Sequence, residues 1–265
     1  MDERLSHEQL LENIRDVKER IRAAAQSAGR SQDSVRLLAA TKTVDPQTIN
    51  FAIENGINLI GENRVQELVE KYDSIDRANA DIHFIGRLQT NKVKYIIDKG
   101  SMIHSVDSLR LAQEIDRQAA KHGLVMDILA EINIGDEASK GGVAPENAQE
   151  FVLALSKFQN IRVCGLMTIP PAIKKSDNFD ENPPDLNAEN GFYTADDKKV
   201  YKNSVYFKKI MKLFLDISAK KIDNIYMHEL SMGMSDDFEE AVAQGATVVR
   251  VGRTLFGARQ RIQTF

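Results

Sequence analysis

Short apolar runs alternate with segments of helical periodicity along this chain, and that alternation constrains the fold more than any other feature. The runs are almost continuously apolar, which is typical of parallel strands covered by helices. Eight units favour closure into a barrel, whereas a doubly wound open sheet is the structural alternative, because periodicity alone does not show closure. We predict strands at 35–41, 57–61, 82–86, 101–106, 126–134, 161–167, 225–230 and 247–251.

The segments between these strands have the spacing of amphipathic helices. We predict helices at 46–55, 64–75, 89–98, 107–121, 145–157, 203–221 and 236–244, with a short one after Thr254. We predict an extra helix before the first strand, because apolar residues recur there at helical spacing, at Leu10, Ile14, Val17 and Ile21. The length of 265 residues is close to the ~250 of an eight-stranded barrel. The predicted fold is therefore α/β, a single (β/α)8 TIM-type barrel with an extra N-terminal helix.

One segment departs from the pattern inside the single domain predicted for residues 1–265. Residues 170–200 are polar, carry four prolines and lie between the sixth strand and its helix. Connections of this length without secondary structure are uncommon in compact domains and are usually lids or disordered excursions. We favour a mobile excursion over a lid.

Charge and composition exclude several classes of partner. The net charge is -4, with 35 basic and 39 acidic residues interspersed, so the chain lacks the basic stripe of a nucleic-acid-binding protein. No apolar segment reaches the ~20 residues of a membrane-spanning helix. Cys164 is the only cysteine and the amino-terminal segment lacks the apolar core of a signal peptide, so we expect a cytosolic protein. We also expect a monomer.

Polar residues follow several predicted strands, and in a barrel the functional site forms at the carboxyl ends of the strands. Lys42 follows the first strand in "LLAATKT", Asn63 follows the second in "GENRVQE", and Met167 ends the sixth. A single lysine is usually a solvated surface cation. The residues at the last two strand ends set Lys42 apart from that expectation.

These last two strand ends have the features of an anion site. Ser231, Gly233 and Ser235 precede one helix, and Gly252-Arg253-Thr254 precede a short helical turn. Backbone amides at such positions bind phosphate, and barrels frequently place phosphates after strands seven and eight. Arg250 is a charged residue within "VVRVG", and we expect its guanidinium to point into the barrel mouth. A phosphate site beside an inward arginine and a lysine suggests pyridoxal phosphate.

Several motifs in the same order make the chain resemble the pyridoxal phosphate homeostasis proteins, relatives of the barrel of bacterial alanine racemase and eukaryotic ornithine decarboxylase. The motifs are "LLAATKT", "GENRVQE", "IHFIGRLQTNKVKYI", "IHSVDS", "INIGDEASKGGV", "VCGLMTI" and "LSMGMSDDFEEAVAQGATVVRVGRTLFG". The resemblance covers nearly the whole chain. Residues 170–200 are longer than expected for the family, so their role is not carried over.

The resemblance implies a role for each site residue. Lys42 would carry pyridoxal phosphate covalently as a Schiff base, and Arg250 would meet the pyridine nitrogen. Asn63 and Met167 would lie near the ring. The phosphate would be surrounded by Ser231, Gly252, Arg253 and Thr254.

The function implied is intracellular pyridoxal phosphate homeostasis. The protein would hold the cofactor and buffer it or supply it to apoenzymes, with indirect effects on amino-acid and keto-acid metabolism. Arginine at the ring nitrogen makes the cofactor a poorer electron sink, and no residue is predicted to be catalytic.

Two rival functions stay open. The first is an amino-acid racemase, which needs a second base that the racemases take from a second, β-rich domain, and weak racemase activity stays compatible with the sequence. The other is a structural barrel without cofactor. A metal site involving His83, His104 and His228 is conceivable, but no short ligand motif occurs and we predict no metal.

Overall fold

The computed structural model describes residues 5–137, 140–171 and 203–257, in which eight parallel strands close into a barrel. Each strand pairs with its neighbours in the chain, and β1 pairs with β8, so that Leu38 lies opposite Arg250. Closure excludes the open sheet and confirms the predicted (β/α)8 fold. The strands are β1 Arg36–Ala40, β2 Leu59–Glu62, β3 Asp81–Phe84, β4 Met102–Val106, β5 Met126–Ile132, β6 Ile161–Thr168, β7 Ile225–Ser231 and β8 Val248–Val251.

Helices surround the barrel in the predicted order. They are α1 His7–Ser27, α2 Pro46–Glu54, α3 Val65–Lys71, α4 Leu109–His122, α5 Ala148–Leu155, α6 Ser204–Ser218, α7 Phe238–Ala243 and α8 Arg253–Phe256. The predicted helix at 89–98 is instead a 3₁₀ stretch, Thr90–Tyr95. Val93 and Ile96 are buried, and a spacing of three residues is satisfied by a 3₁₀ turn as well as by an α-helix.

The extra helix α1 lies against the end of the barrel's helical ring. Ser6 and Gln9 cap it reciprocally, and Leu10 is among its buried residues. Arg20 forms an ion pair with Glu239 of α7, and the Asn13 amide donates to the carbonyl of Leu255 in α8. Helix α1 therefore packs against the last two helices of the barrel.

Apolar residues form an outer and an inner core, because successive side chains of a strand point to opposite faces. The outer core lies between strands and helices and includes Ala39, Val249 and Val251. The inner core fills the barrel with two small clusters. The first contains Leu38, Ala40, Leu59, Ile85 and Val248, and the second contains Met102, Leu129, Cys164 and Met167.

The long polar segment predicted at 170–200 falls outside the described residues from position 172 onward. Its interpretation as an excursion, and the extent of the single domain, stay predictions. Within the part of the chain that the structure describes, no helix is long and apolar enough to cross a membrane.

Candidate functional site

The alternation of β1 places Lys42 on the barrel side of the sheet. Leu38 and Ala40 belong to the inner core, whereas Ala39 belongs to the outer core. Lys42 continues the inward series in the turn that follows β1, where it is half-buried. The predicted lysine therefore lies at the carboxyl end of the first strand.

The turn that carries Lys42 is strained at its next residue. Thr43 has a φ of 64°, in the left-handed region. A β-branched residue rarely adopts that conformation, which costs about 1–3 kcal/mol and persists only where the surroundings enforce it. Two hydrogen bonds enforce it here. The Thr43 amide donates to Glu67 Oε2 at 2.7 Å, and the Val44 amide donates to the Thr41 carbonyl at 3.0 Å.

An ionic cluster of buried Thr41 and Glu62 with half-buried Glu67 and Lys71 lies behind this turn, on the outer face of the sheet. Lys71 Nζ donates to the Thr41 carbonyl and to Glu62 Oε1, each at 3.0 Å, and to Glu67 Oε2 at 3.3 Å. The Thr41 hydroxyl donates to Glu62 Oε1 at 2.7 Å. Burial raises the pKa of the Glu62 carboxyl, while Lys71 and the Thr41 hydroxyl act against that rise. One ammonium group thus connects two carboxylates and the backbone beside Lys42.

Arg250 points into the barrel, as the sequence predicts. Its guanidinium donates to Ser231 Oγ at 2.6 Å and to the Thr168 carbonyl at 2.9 Å, which are atoms of β7 and β6. The residue is buried, and burial lowers its pKa to about 10. This value is about three pKa units above neutrality, so Arg250 stays a cation.

A polar column crosses the barrel interior from β3 to β8 through His83, His104, Ser231 and Arg250. His83 Nδ1 lies 2.8 Å from His104 Nε2, and His104 Nδ1 lies 3.0 Å from Ser231 Oγ. Because Arg250 only donates, Ser231 accepts from it and can donate to His104, which can donate in turn to His83.

Both histidines of the column are neutral at ordinary pH. Burial lowers the pKa of His83 to about 3, and it holds the pKa of His104 well below its usual value. Both are buried, and they are hydrogen-bonded to each other. His228, the third histidine considered for a metal, is exposed. Among the residues that the structure describes, no group of three or more possible metal ligands occurs.

The segment after β8 forms a cradle of backbone amides, which Ser235 closes. The amides of Gly252 and Thr254 each donate to Ser235 Oγ at 3.3 Å. A β-carbon at Gly252 would lie 3.2 Å from the carbonyl oxygen of Ala40, so glycine allows this close approach to β1. Amides that converge on one hydroxyl oxygen are suited to an anion.

The side chains of two residues that were predicted to surround the phosphate have other partners. The Arg253 side chain is 60% exposed and forms an ion pair with Asp236. Ser231 lies in the polar column, where its hydroxyl contacts His104 and Arg250. The structure brings Gly252 and Thr254 together around Ser235.

Asn63 and Met167 lie on the barrel side at two further strand ends. Asn63 Oδ1 is buried and has no hydrogen-bond partner. The backbone of Asn63 is held close to Gly86, where a β-carbon would lie 1.9 Å from the Asn63 carbonyl oxygen. Met167 packs against Leu129 and Cys164 in the inner core. An unsatisfied oxygen in the mouth fits a bound polar group, because buried polar atoms are rarely left without a partner.

Glu131 is an inward residue that the sequence analysis did not select. It follows Leu129 of the inner core by two positions in β5. Burial, and then the nearby charge of Asp107, raise its pKa to about 7. A single charged residue within the run "ILAEINI" is the same signal that identified Arg250 and could have found Glu131.

Comparisons with known proteins agree with this geometry. Residues 12–260 match the family described as alanine racemase, N-terminal domain. A pyridoxal phosphate homeostasis protein of Aquifex aeolicus is 42% identical over 249 residues, covering 94% of this chain and 98% of that protein. Another from Pseudomonas aeruginosa is 36% identical over 250 residues, covering 94% of this chain and 96% of that protein.

Solved structures of similar fold include a pyridoxal phosphate-bound protein and an alanine racemase. PipY of Synechococcus elongatus, solved with pyridoxal phosphate bound, has a TM-score of 0.69 and 29% identity, with 84% of this chain and 93% of that chain covered. Alanine racemase from Clostridium difficile shares the fold at 16% identity and a TM-score of 0.58, with 94% of this chain and 58% of that chain covered. The chain therefore belongs to the family of pyridoxal phosphate homeostasis proteins, which is built on the barrel of the alanine racemase N-terminal domain.

Proposed function

We propose that this protein binds pyridoxal phosphate in the barrel mouth, attached covalently to Lys42, and holds it for supply to apoenzymes without catalysing a reaction of its own. The observation that carries the proposal is the placement of Lys42 and Arg250 on the barrel side of the adjacent strands β1 and β8. When bound, pyridoxal phosphate supplies a carbonyl that forms a Schiff base with amines and a ring that withdraws electrons. The protein's residues determine how far that chemistry proceeds.

Binding of the phosphate falls to the cradle after β8. The amides of Gly252, Arg253 and Thr254 would donate to phosphate oxygens, taking the place that Ser235 Oγ has now. Ser231 would act beside this cradle by holding Arg250. Asn63 Oδ1 and the Met167 side chain would border the ring.

Arg250 supports a holding role over a catalytic one. A buried guanidinium that stays protonated can donate a hydrogen bond to the pyridine nitrogen and cannot take a proton from it. The nitrogen is then kept unprotonated, which weakens the ring as an electron sink. An acidic partner at the same atom would have the opposite effect.

Racemisation needs a second base on the far side of the substrate. The positions of the tyrosines in the part of the chain that the structure describes favour the holding role instead. Tyr72 donates to the Asp98 carbonyl, Tyr206 packs against the outer core, and Tyr95 and Tyr226 are exposed. None of these four tyrosines of the described residues faces the barrel interior.

The test is a mass measurement on the purified protein after borohydride reduction, which fixes a Schiff base as a stable bond. We expect the cofactor mass on the peptide that contains Lys42, and loss of visible absorbance in Lys42→Ala. Attachment to another lysine, or a colourless protein that cannot be reconstituted, would contradict the proposal. Rapid interconversion of L- and D-alanine by the purified protein would instead favour a racemase.

A further inference from the structure

The ammonium group of Lys71 connects three atoms that surround the turn carrying Lys42. It donates to the carbonyl of Thr41, to Glu62 Oε1 and to Glu67 Oε2. We propose that Lys71 is a positioning residue, which fixes the strained turn from Thr41 to Thr43 and thereby sets how long the cofactor stays on Lys42. This inference rests on the proposed function, because it assigns Lys42 as the attachment residue.

The contacts of the cluster bracket Lys42 on both sides. On the preceding side, Thr41 is fixed twice, since its carbonyl accepts from Lys71 and its hydroxyl donates to Glu62. On the following side, the amide of Thr43 donates to Glu67 Oε2 at 2.7 Å. Lys71 contacts this same Glu67 oxygen. The two ends of the turn are therefore held by one cation through two carboxylates.

Burial distinguishes Lys71 from a surface helix pair. A pairing of Glu67 with Lys71 at i,i+4 is common on exposed helix faces and contributes little there. Here the Lys71 side chain is only 12% exposed, the Glu67 side chain 15%, and the Glu62 side chain 0%. Removal of the ammonium group would leave the fully buried Glu62 carboxylate without its cation, facing Glu67, whose other cation is the exposed Arg64 at 3.5 Å. Their repulsion would move Glu67 away from the Thr43 amide.

Loss of the cluster would affect Lys42 because the backbone of the next residue, Thr43, is strained. A β-branched residue leaves the left-handed region when its surroundings no longer enforce it. A change of backbone angles at Thr43 would redirect the chain next to Lys42 and with it the amine. The cofactor would be attached to Lys42 at one end and bound by the cradle at Gly252 at the other. Only the position of the Lys42 amine would change, so only that attachment would be weakened.

The experiment compares the full chain with the variant Lys71→Met, using two readouts. Hydrogen exchange of the Thr43 amide is followed by NMR in the cofactor-free protein, and release of pyridoxal phosphate is followed by absorbance in the loaded protein. We expect both rates to rise at least tenfold. Affinity for inorganic phosphate, which probes the cradle alone, is expected to stay within twofold.

Two further variants serve as controls. Lys71→Arg keeps the charge and is expected to restore most of the slow release. Lys18→Met is the matched control, because Lys18 Nζ also donates to a backbone carbonyl, that of Gly56, which precedes β2 at the other end of the barrel. Lys18→Met is expected to leave both rates unchanged.

The outcomes separate the inference from the proposed function. If folded Lys71→Met keeps Thr43 exchange and cofactor release within twofold of the wild type, the inference is overturned. If this variant does not fold, Glu67→Ala decides by the same two measurements, since it removes the acceptor of the Thr43 amide and leaves Lys71 paired with Glu62. Absence of the cofactor mass from Lys42 in the wild type would instead overturn the proposed function, while Thr43 exchange would still report on the turn.

Discussion

Ser235 and Thr254 are joined by two hydrogen bonds that fix the cradle after β8. The Thr254 amide donates to Ser235 Oγ at 3.3 Å, and the Thr254 hydroxyl donates to the Ser235 carbonyl at 3.4 Å. The first bond occupies a donor that a phosphate would use, while the second holds the two segments together. Ser235 thus links the loop after β7 to the chain after β8.

Ser235→Ala is expected to weaken binding of pyridoxal phosphate about tenfold, which corresponds to about 1.4 kcal/mol. Once the phosphate has displaced it from the two amides, the Ser235 hydroxyl would itself donate to a phosphate oxygen, and the substitution removes that donor. Binding of pyridoxal, which has no phosphate, is expected to change less than twofold, and titration of both ligands by absorbance measures the difference. Ser156→Ala is the control, since the Ser156 hydroxyl, just past α5, donates to the carbonyl of Leu153 in that helix. Equal losses for both ligands would place Ser235 outside the phosphate site.

Arg250→Met is expected to destabilise the fold by about 3–5 kcal/mol, because it leaves buried acceptors on two other strands without their charged donor. The acceptors are Ser231 Oγ and the Thr168 carbonyl. Urea unfolding measures this change in the free energy of unfolding. Arg250→Lys keeps a cation and is expected to recover part of the loss. A midpoint unchanged in Arg250→Met would show that these two hydrogen bonds add little to stability.

Glu131→Gln is expected to gain stability relative to the wild type as pH rises from 4.5 to 7. The folded-state pKa of Glu131 is raised to about 7 from a usual 4.5, so its contribution is fully present below pH 4.5 and is lost as pH rises through 7. The difference of 2.5 pKa units corresponds to about 3 kcal/mol. Unfolding of both proteins in urea across this range tests the sign. Parallel stability curves would mean that Glu131 titrates normally.

His83→Gln is expected to flatten the loss of stability in acid. The folded-state pKa of His83 is lowered to about 3 from 6.5, so its contribution is present above pH 6.5 and is lost as pH falls toward 3. One such histidine adds a slope of about 1.4 kcal/mol per pH unit. Glutamine can still bond to His104, so thermal unfolding between pH 4 and 6 isolates the titration. The same slope in both proteins would contradict the lowered pKa.

The fold was predictable because strand order follows from β/α alternation, which is a property of the sequence itself. Closure was not, since it depends on the pairing of Leu38 with Arg250 across the whole length of the chain. The stretch Thr90–Tyr95 shows a similar limit. The positions of its buried residues were predictable, but the choice between 3₁₀ and α-helical hydrogen bonds was made by packing.

The site was predictable where strand alternation decides the direction of a side chain, as it does for Arg250. The partners of Lys71 and Ser231 were not, because each bonds to residues from other strands whose distances only the folded barrel sets. Ser235 was recognised as part of a phosphate loop, but its position over Gly252 required two loops to meet.

The polar column also limits which amino-acid substitutions its four positions can accept during evolution. His83, His104, Ser231 and Arg250 come from four different strands, and each supplies the hydrogen-bond partner of the next. A substitution at any one of them changes what its neighbour requires, so these four positions are expected to vary together or not at all. A histidine on the third strand is thereby tied to the guanidinium at the mouth, with which it has no contact.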